Sequence, residues 1–166
     1  MIFCPVAGEK GIDYRISQWF GERVSYYTRY GLKNGHNGID LAIPIGTDLY
    51  APFDGYITYG NEGSSGYGKF VTLISDPMGP QEIRKRVDLG HLSNSILGLA
   101  GTFVYSGTRI AMSGNTGDST GPHVHITYKQ LDKFNTTLHY DNGSKGALDV
   151  SSFILEFLKD RVLRPS

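Results

Sequence analysis

Pro122-His123-Val124-His125-Ile126-Thr127-Tyr128 is the stretch on which the reading of the fold turns. As a strand it sends alternate side chains to opposite faces. His123 and His125 then share one face while Val124 points into a core. Ser119-Thr120-Gly121-Pro122 precedes it as a rigid turn that sets where the strand begins. Upstream lie further apolar strands of similar length, Lys69–Ile74 and Arg109–Met112. Residues 84–91 begin basic and then alternate, which puts Val87, Leu89 and His91 on one face. Leu49-Tyr50-Ala51 and Gly55-Tyr56-Ile57-Thr58-Tyr59 flank Pro52-Phe53-Asp54-Gly55, whose Asp-Gly pair is a hairpin signal.

The chain is rich in turns. Its 22 glycines among 166 residues are about twice the usual share of ~7%. Many glycines between short apolar runs predict a mainly β protein with glycine-rich loops, and strand-period residues with Asp-Gly turns predict an antiparallel sheet core with the site at one end of an open groove. Gly63-Ser64-Ser65-Gly66-Tyr67-Gly68 lacks the Walker pattern and reads as a hairpin loop. Residues 1–35 are rich in tyrosine and glycine and show little periodicity. One C-terminal helix is expected over about 150–162, where Val150, Phe153, Ile154, Phe157 and Leu158 follow helical spacing after Asp149 or Ser151. Residues 141–146 read as a turn or surface loop. The length predicts a single domain over 1–166 with its core at about 16–150.

Composition narrows the function. Sixteen basic and sixteen acidic residues give a formal net charge of zero, which argues against binding nucleic acid through phosphates. No apolar run reaches the ~18 residues that a membrane-spanning helix needs. The first six residues lack a basic segment and are broken by Pro5, so they do not read as a signal peptide. The lone Cys4 allows no internal disulfide and reads as a packed thiol. A deaminase-like zinc site needs a second cysteine and is excluded.

Four of the five histidines stand in short, distinctive settings: His36-Asn37-Gly38-Ile39-Asp40, Gly90-His91-Leu92-Ser93, and Gly121-Pro122-His123-Val124-His125. His139 lies in a polar stretch and reads as solvated. Singly, His36 reads as a loop histidine, Asp40 as a turn carboxylate and His91 as a satisfied sheet histidine. Together, in a small β-rich chain, they are better explained by one site. Two histidines and a carboxylate suit a catalytic zinc and leave a position for water, although ferrous iron takes the same donors.

These segments resemble the LytM/lysostaphin-type zinc metallopeptidases, the M23 peptidase family. His36-X-X-X-Asp40 and His123-X-His125 look like its two signatures. The run 36–47 resembles H-x-G-I-D-x-A-x-P-x-G-T, and 51–55 resembles the A-x-x-D-G turn. Gly90-His91-Leu92-Ser93 resembles the H-L-S segment, and 113–125 resembles S-G-x-T-G-x-S-T-G-P-H-x-H. The likeness covers about 16–126. Leu89 stands where the family often has tyrosine, residues 76–88 are longer and more basic than its pattern, and 129–145 look like an insertion.

The resemblance implies His36, Asp40 and His125 as ligands of Zn2+, with His91 and His123 as catalytic histidines outside the metal. It also implies Tyr30, six residues before His36, as an oxyanion donor, with ordinary packing as the alternative. Zinc makes water nucleophilic near neutral pH, and a histidine can take or return its proton. No His-Glu-X-X-His occurs, so the usual metalloprotease glutamate base is absent, which favours a histidine base. The implied function is a zinc endopeptidase hydrolysing peptide cross-links or bridges of bacterial peptidoglycan, acting at the cell wall from outside, in the periplasm or on a virion. The competing readings are a non-catalytic module on the same fold, which zinc content would reveal, and a structural phage-tail component with accessory wall-degrading activity.

Overall fold

The computed structural model describes residues 5–6, 15–95 and 99–151. Cys4 and the helix expected over 150–162, apart from its first two positions, lie outside these residues. Eight strands form one antiparallel sheet. Seven of them run in the spatial order β1 (Arg15–Gln18), β2 (Ile39–Ala42), β10 (Val124–Leu131), β6 (Arg84–Gly90), β5 (Lys69–Ile74), β4 (Gly55–Asn61) and β8 (Phe103–Val104). The eighth, β11 (Ala147–Leu148), pairs with the far end of β10. A second sheet holds β3 (Asp48–Tyr50), β9 (Arg109–Met112) and β7 (Asn94–Ser95).

Period-two alternation explains how the large sheet divides its side chains. Ile39 and Leu41 of β2, Val71 and Leu73 of β5, Val87 and Leu89 of β6, and Val124 and Ile126 of β10 are buried together with Leu49, Ile110 and Ala111 of the small sheet. The opposite face carries Asp40, Thr72, Asp88, His125 and Thr127. These polar residues are buried as well, so that face is covered rather than washed by solvent. Part of the cover comes from the segment between β1 and β2, which contains α1 (Val24–Tyr27) and the 3-10 turn Thr28–Tyr30. The loop between β4 and β5 supplies Tyr67.

Three expectations change. Residues 49–59 do not form a hairpin: β3 pairs with β9, while β4 pairs with β5 and β8. The Asp-Gly turn instead carries the chain from one sheet to the other. Asp54 accepts the Ser106 backbone N–H at 2.7 Å, and a Cβ on Gly55 would stand 2.4 Å from the Ile74 carbonyl oxygen. The strand expected from Pro122 starts at Val124 and runs on to Leu131. Alternation would send His91 into the core beside Leu89, but His91 follows β6 with a left-handed φ of 61°. That reversal turns its ring to the covered polar face.

The 63–68 stretch is a hairpin loop between paired strands, as expected. The extra residues of 129–145 extend β10 and return through β11, which sets Ala147 against Lys129.

Candidate metal centre

Register assembles the centre. His125 of β10 sits directly opposite Asp40 of β2, and both point to the covered face. His36 reaches the same point from the loop before β2. Its backbone is clamped on both sides, with His36 N–H donating to Glu22 O and Gly21 N–H donating to His36 O, each at 2.8 Å. His125 Nδ1 lies 2.8 Å from Asp40 Oδ1 and 2.9 Å from His36 Nε2, and His36 Nε2 lies 3.2 Å from the same carboxylate oxygen. A tetrahedral zinc with bonds of about 2.0–2.1 Å spaces its ligand atoms about 3.3 Å apart. The three atoms close around one point on nearly that scale, and among the described residues they form the one His/Asp/Glu/Cys group able to hold a metal ion.

The outer hydrogen bonds explain why lone pairs converge there. His36 Nδ1 lies 3.0 Å from the Trp19 carbonyl oxygen. A carbonyl can only accept, so Nδ1 carries the proton and Nε2 is left bare. His125 Nε2 lies 2.8 Å from Thr127 Oγ1. With that nitrogen donating, His125 Nδ1 is bare too. Asp40 offers only acceptors when ionised. Three lone pairs facing one another repel unless a cation sits between them, so the donor chemistry fits a metal. Burial by itself would raise the Asp40 carboxyl, but the His125 and His36 imidazoles set against it outweigh burial and hold Asp40 well below the usual carboxylate range.

Sequence reasoning missed the support of this centre. Thr127 Oγ1 lies 2.9 Å from the Tyr67 hydroxyl, which also accepts Asn37 Nδ2–H at 3.2 Å. The Tyr67 ring packs 5.1 Å from the His125 ring. Burial, then the Asp88 charge, push the Tyr67 phenol up to about 12, so it stays neutral. Thr127 could have been found by strand alternation two residues beyond His125. Tyr67 carried no such signal, since it sits in a loop that reads as plain. Tyr27, 5.1 Å from the His36 ring, was missed as well.

The other two histidines stand together beside the ligands, with ring centroids 4.6 Å apart. His91 Nδ1–H donates to Thr116 O and His123 Nδ1–H to Gly121 O, each at 2.7 Å. Neither Nε2 atom is used in these bonds, and that of His123 lies 3.7 Å from Asp40 Oδ2. The turn before β10 owes its shape to Ser119, which donates to Asn115 Oδ1 at 2.6 Å. Burial, then the neighbouring His123, push His91 down to about 4. It is therefore neutral at pH 7. Tyr30 lies on the wall of the same groove, but its hydroxyl is turned to the Asp118 carboxylate, to which Arg29 also pairs at 3.4 Å. His139 is exposed.

Gly38 is a steric requirement of the centre. A Cβ there would lie 2.5 Å from Ile126 O and 2.6 Å from Cε1 of His125. Gly38→Ala should push the His125 ring off its position and weaken metal affinity about 10–100-fold, the usual cost of disturbing a ligand's support. Competition against a calibrated chelator reads this directly. Unchanged affinity in a folded variant would show that the ring has room to yield.

The arrangement is a group of two histidines and one carboxylate that could hold a metal ion, lining a groove with two further histidines alongside. Peptidase family M23 matches residues 34–137, and the chain belongs to that family. It is 39% identical over 90 residues to the peptidoglycan DD-endopeptidase ShyA of Vibrio cholerae, a match covering 54% of this chain and 19% of that protein. The catalytic domain of the antimicrobial peptidase lysostaphin from Staphylococcus simulans superposes with a TM-score of 0.62 at 25% identity, covering 84% of this chain and 91% of that one. A zinc-containing peptidase from Vibrio cholerae superposes at 0.59 and 25% identity, covering 83% of this chain and 39% of that one. Matches to the first curated relatives span only 18% to 27% of those proteins.

Proposed function

We propose that the chain is a zinc-dependent endopeptidase that hydrolyses peptide bonds of bacterial peptidoglycan at the cell wall. The observation that carries this reading is the convergence of three donor atoms, on His36, Asp40 and His125, beside two histidines whose Nε2 atoms are not spent on backbone carbonyls. When bound, zinc polarises a carbonyl and supplies a nucleophile at neutral pH. His91, neutral at pH 7, is in the state that accepts a proton. His123, closer to Asp40, is placed to steady the developing oxyanion and to return a proton to the leaving amine. Tyr30 is assigned as an additional oxyanion donor, which requires its hydroxyl to leave Asp118 when substrate enters. The name of the Vibrio cholerae relative favours cross-links next to D-Ala over glycine bridges.

Glycan cleavage usually needs two carboxyl groups flanking the glycosidic bond, and the only carboxylate at the centre is engaged as a ligand. Digestion of several purified peptidoglycans should therefore release new amino groups and no new reducing ends. A chelator should stop the reaction and a modest amount of zinc restore it. New reducing ends without amines, from a zinc-loaded sample, would overturn the proposal. Intact peptidoglycan under the same conditions would support a non-catalytic module.

A further inference from the structure

Beyond His125 and Thr127, the next residue of β10 on the same face is Lys129. At about 3.4 Å per residue its Cα lies about 13 Å along the strand from His125, the length of three to four extended residues. Lys129 and Lys145 line the same groove as the metal ligands. They stand at the two ends of the segment that departs from the expected pattern, brought back together because β11 returns beside β10.

The charges of this groove are unequally satisfied. Its carboxylates beyond Asp40 are Glu62 and Asp118. Glu62 accepts the Tyr67 backbone N–H at 2.7 Å, and Asp118 is taken by Tyr30 and Arg29. Lys145 donates one of its three protons to the Tyr30 carbonyl at 2.7 Å. The Lys129 ammonium, half-buried, makes no hydrogen bond or ion pair among the described residues. Asp88 is the carboxylate whose charge acts on it, but Asp88 is held by Thr72 at 2.6 Å and by Arg86 at 3.0 Å. Burial pushes the Lys129 pKa down, Asp88 opposes this, and Arg86 and Lys145 add to it. An ammonium that has lost water without gaining a partner is costly, and an anion from outside would relieve the cost.

We propose that Lys129, with Lys145 beside it, forms a carboxylate subsite that seats a free carboxylate of the wall peptide at the end of the groove away from the metal. The identity of that peptide rests on the peptidase reading; the anion site itself does not. The carboxylate is either the C-terminal one of the peptide or one on a side chain, and the two are chemically alike. Bulk of the acyl chain is not what the site reads, since its distinguishing feature is the unpaired positive charge.

The test uses uncleavable wall peptides, with the scissile amide reduced, titrated into the full zinc-loaded chain. One pair differs as C-terminal carboxylate against carboxamide, and the other as side-chain carboxylate against carboxamide. In one of the pairs the carboxylate should bind about tenfold tighter, the scale of one charge-assisted hydrogen bond, and that pair identifies its source. Lys129→Met should erase the difference by weakening only the carboxylate peptide, and Lys129→Arg should retain it. Zinc content and circular dichroism check that each variant is folded. If Lys129→Met fails that check, Lys129→Gln takes its place, and the wild-type ratio still decides. Equal affinities in both pairs would overturn the subsite, as would a variant that weakens carboxylate and carboxamide alike. The peptidase reading fails separately: a carboxylate preference kept by a protein that cuts no cleavable wall peptide would sink that reading and leave the subsite standing.

Discussion

His125→Ala should strip the chain of its metal and of measurable turnover together. Among the described residues three side chains converge on the centre, and His125 Nδ1 is the atom nearest both others, 2.8 Å from Asp40 and 2.9 Å from His36. Its loss leaves two donors, too few to hold zinc against solvent and competing chelators. It also removes the hydrogen-bond partner of Thr127 Oγ1 and opens a space under the Tyr67 ring. The readout is zinc per chain by elemental analysis beside activity on purified peptidoglycan. Zinc should fall from about one per chain towards none. His139→Ala, an exposed change far from any ligand in sequence, should leave zinc content as it is. A folded His125→Ala protein that keeps full zinc would refute the ligand assignment.

His91→Ala and His123→Ala should separate metal from catalysis. Each should retain zinc and lose about 10²–10⁴-fold in kcat, the usual worth of a positioned acid or base. Neither ring belongs to the group of atoms that His36, Asp40 and His125 bring together, and both Nδ1 atoms face backbone carbonyls. The double variant should cost less than the product of the two single losses, since groups that act on one proton path are not independent. Zinc stoichiometry, kcat and KM for the three variants make the comparison. If His123→Ala lost zinc while His125→Ala kept it, the roles of the pair would be exchanged. Equal activity in wild type and both single variants would remove the histidines from the chemistry altogether.

Much of the site was legible because its signals are local. His123 and His125 stand two apart, and alternation carries both away from Val124 whatever the rest of the chain does. Asp40, read singly as a turn carboxylate, instead stands on β2 between Ile39 and Leu41, both fully buried in the core. The Asp-Gly pair at 54–55 misled for a related reason. A turn signal states that the chain reverses or bends, but the partner of each flanking strand is chosen by packing elsewhere, here by β9 for β3 and by β5 for β4. His91 failed the alternation rule because a left-handed residue at a strand end flips the face on which its side chain emerges. Histidine adopts that conformation more readily than most residues.

The sequence by itself determined the donor types, the mainly β character and which side of its strand Val124 takes against His125, because these depend on residue chemistry and on a period of two. The tertiary structure alone decided that His125 faces Asp40, that Tyr67 closes over His125 from a glycine-rich loop, and that Lys129 is left half-buried in the same groove without a partner among the described residues. Each of these depends on register or on loop packing between segments far apart in the chain. No local spacing encodes such pairings, since strand register follows from how the whole core closes.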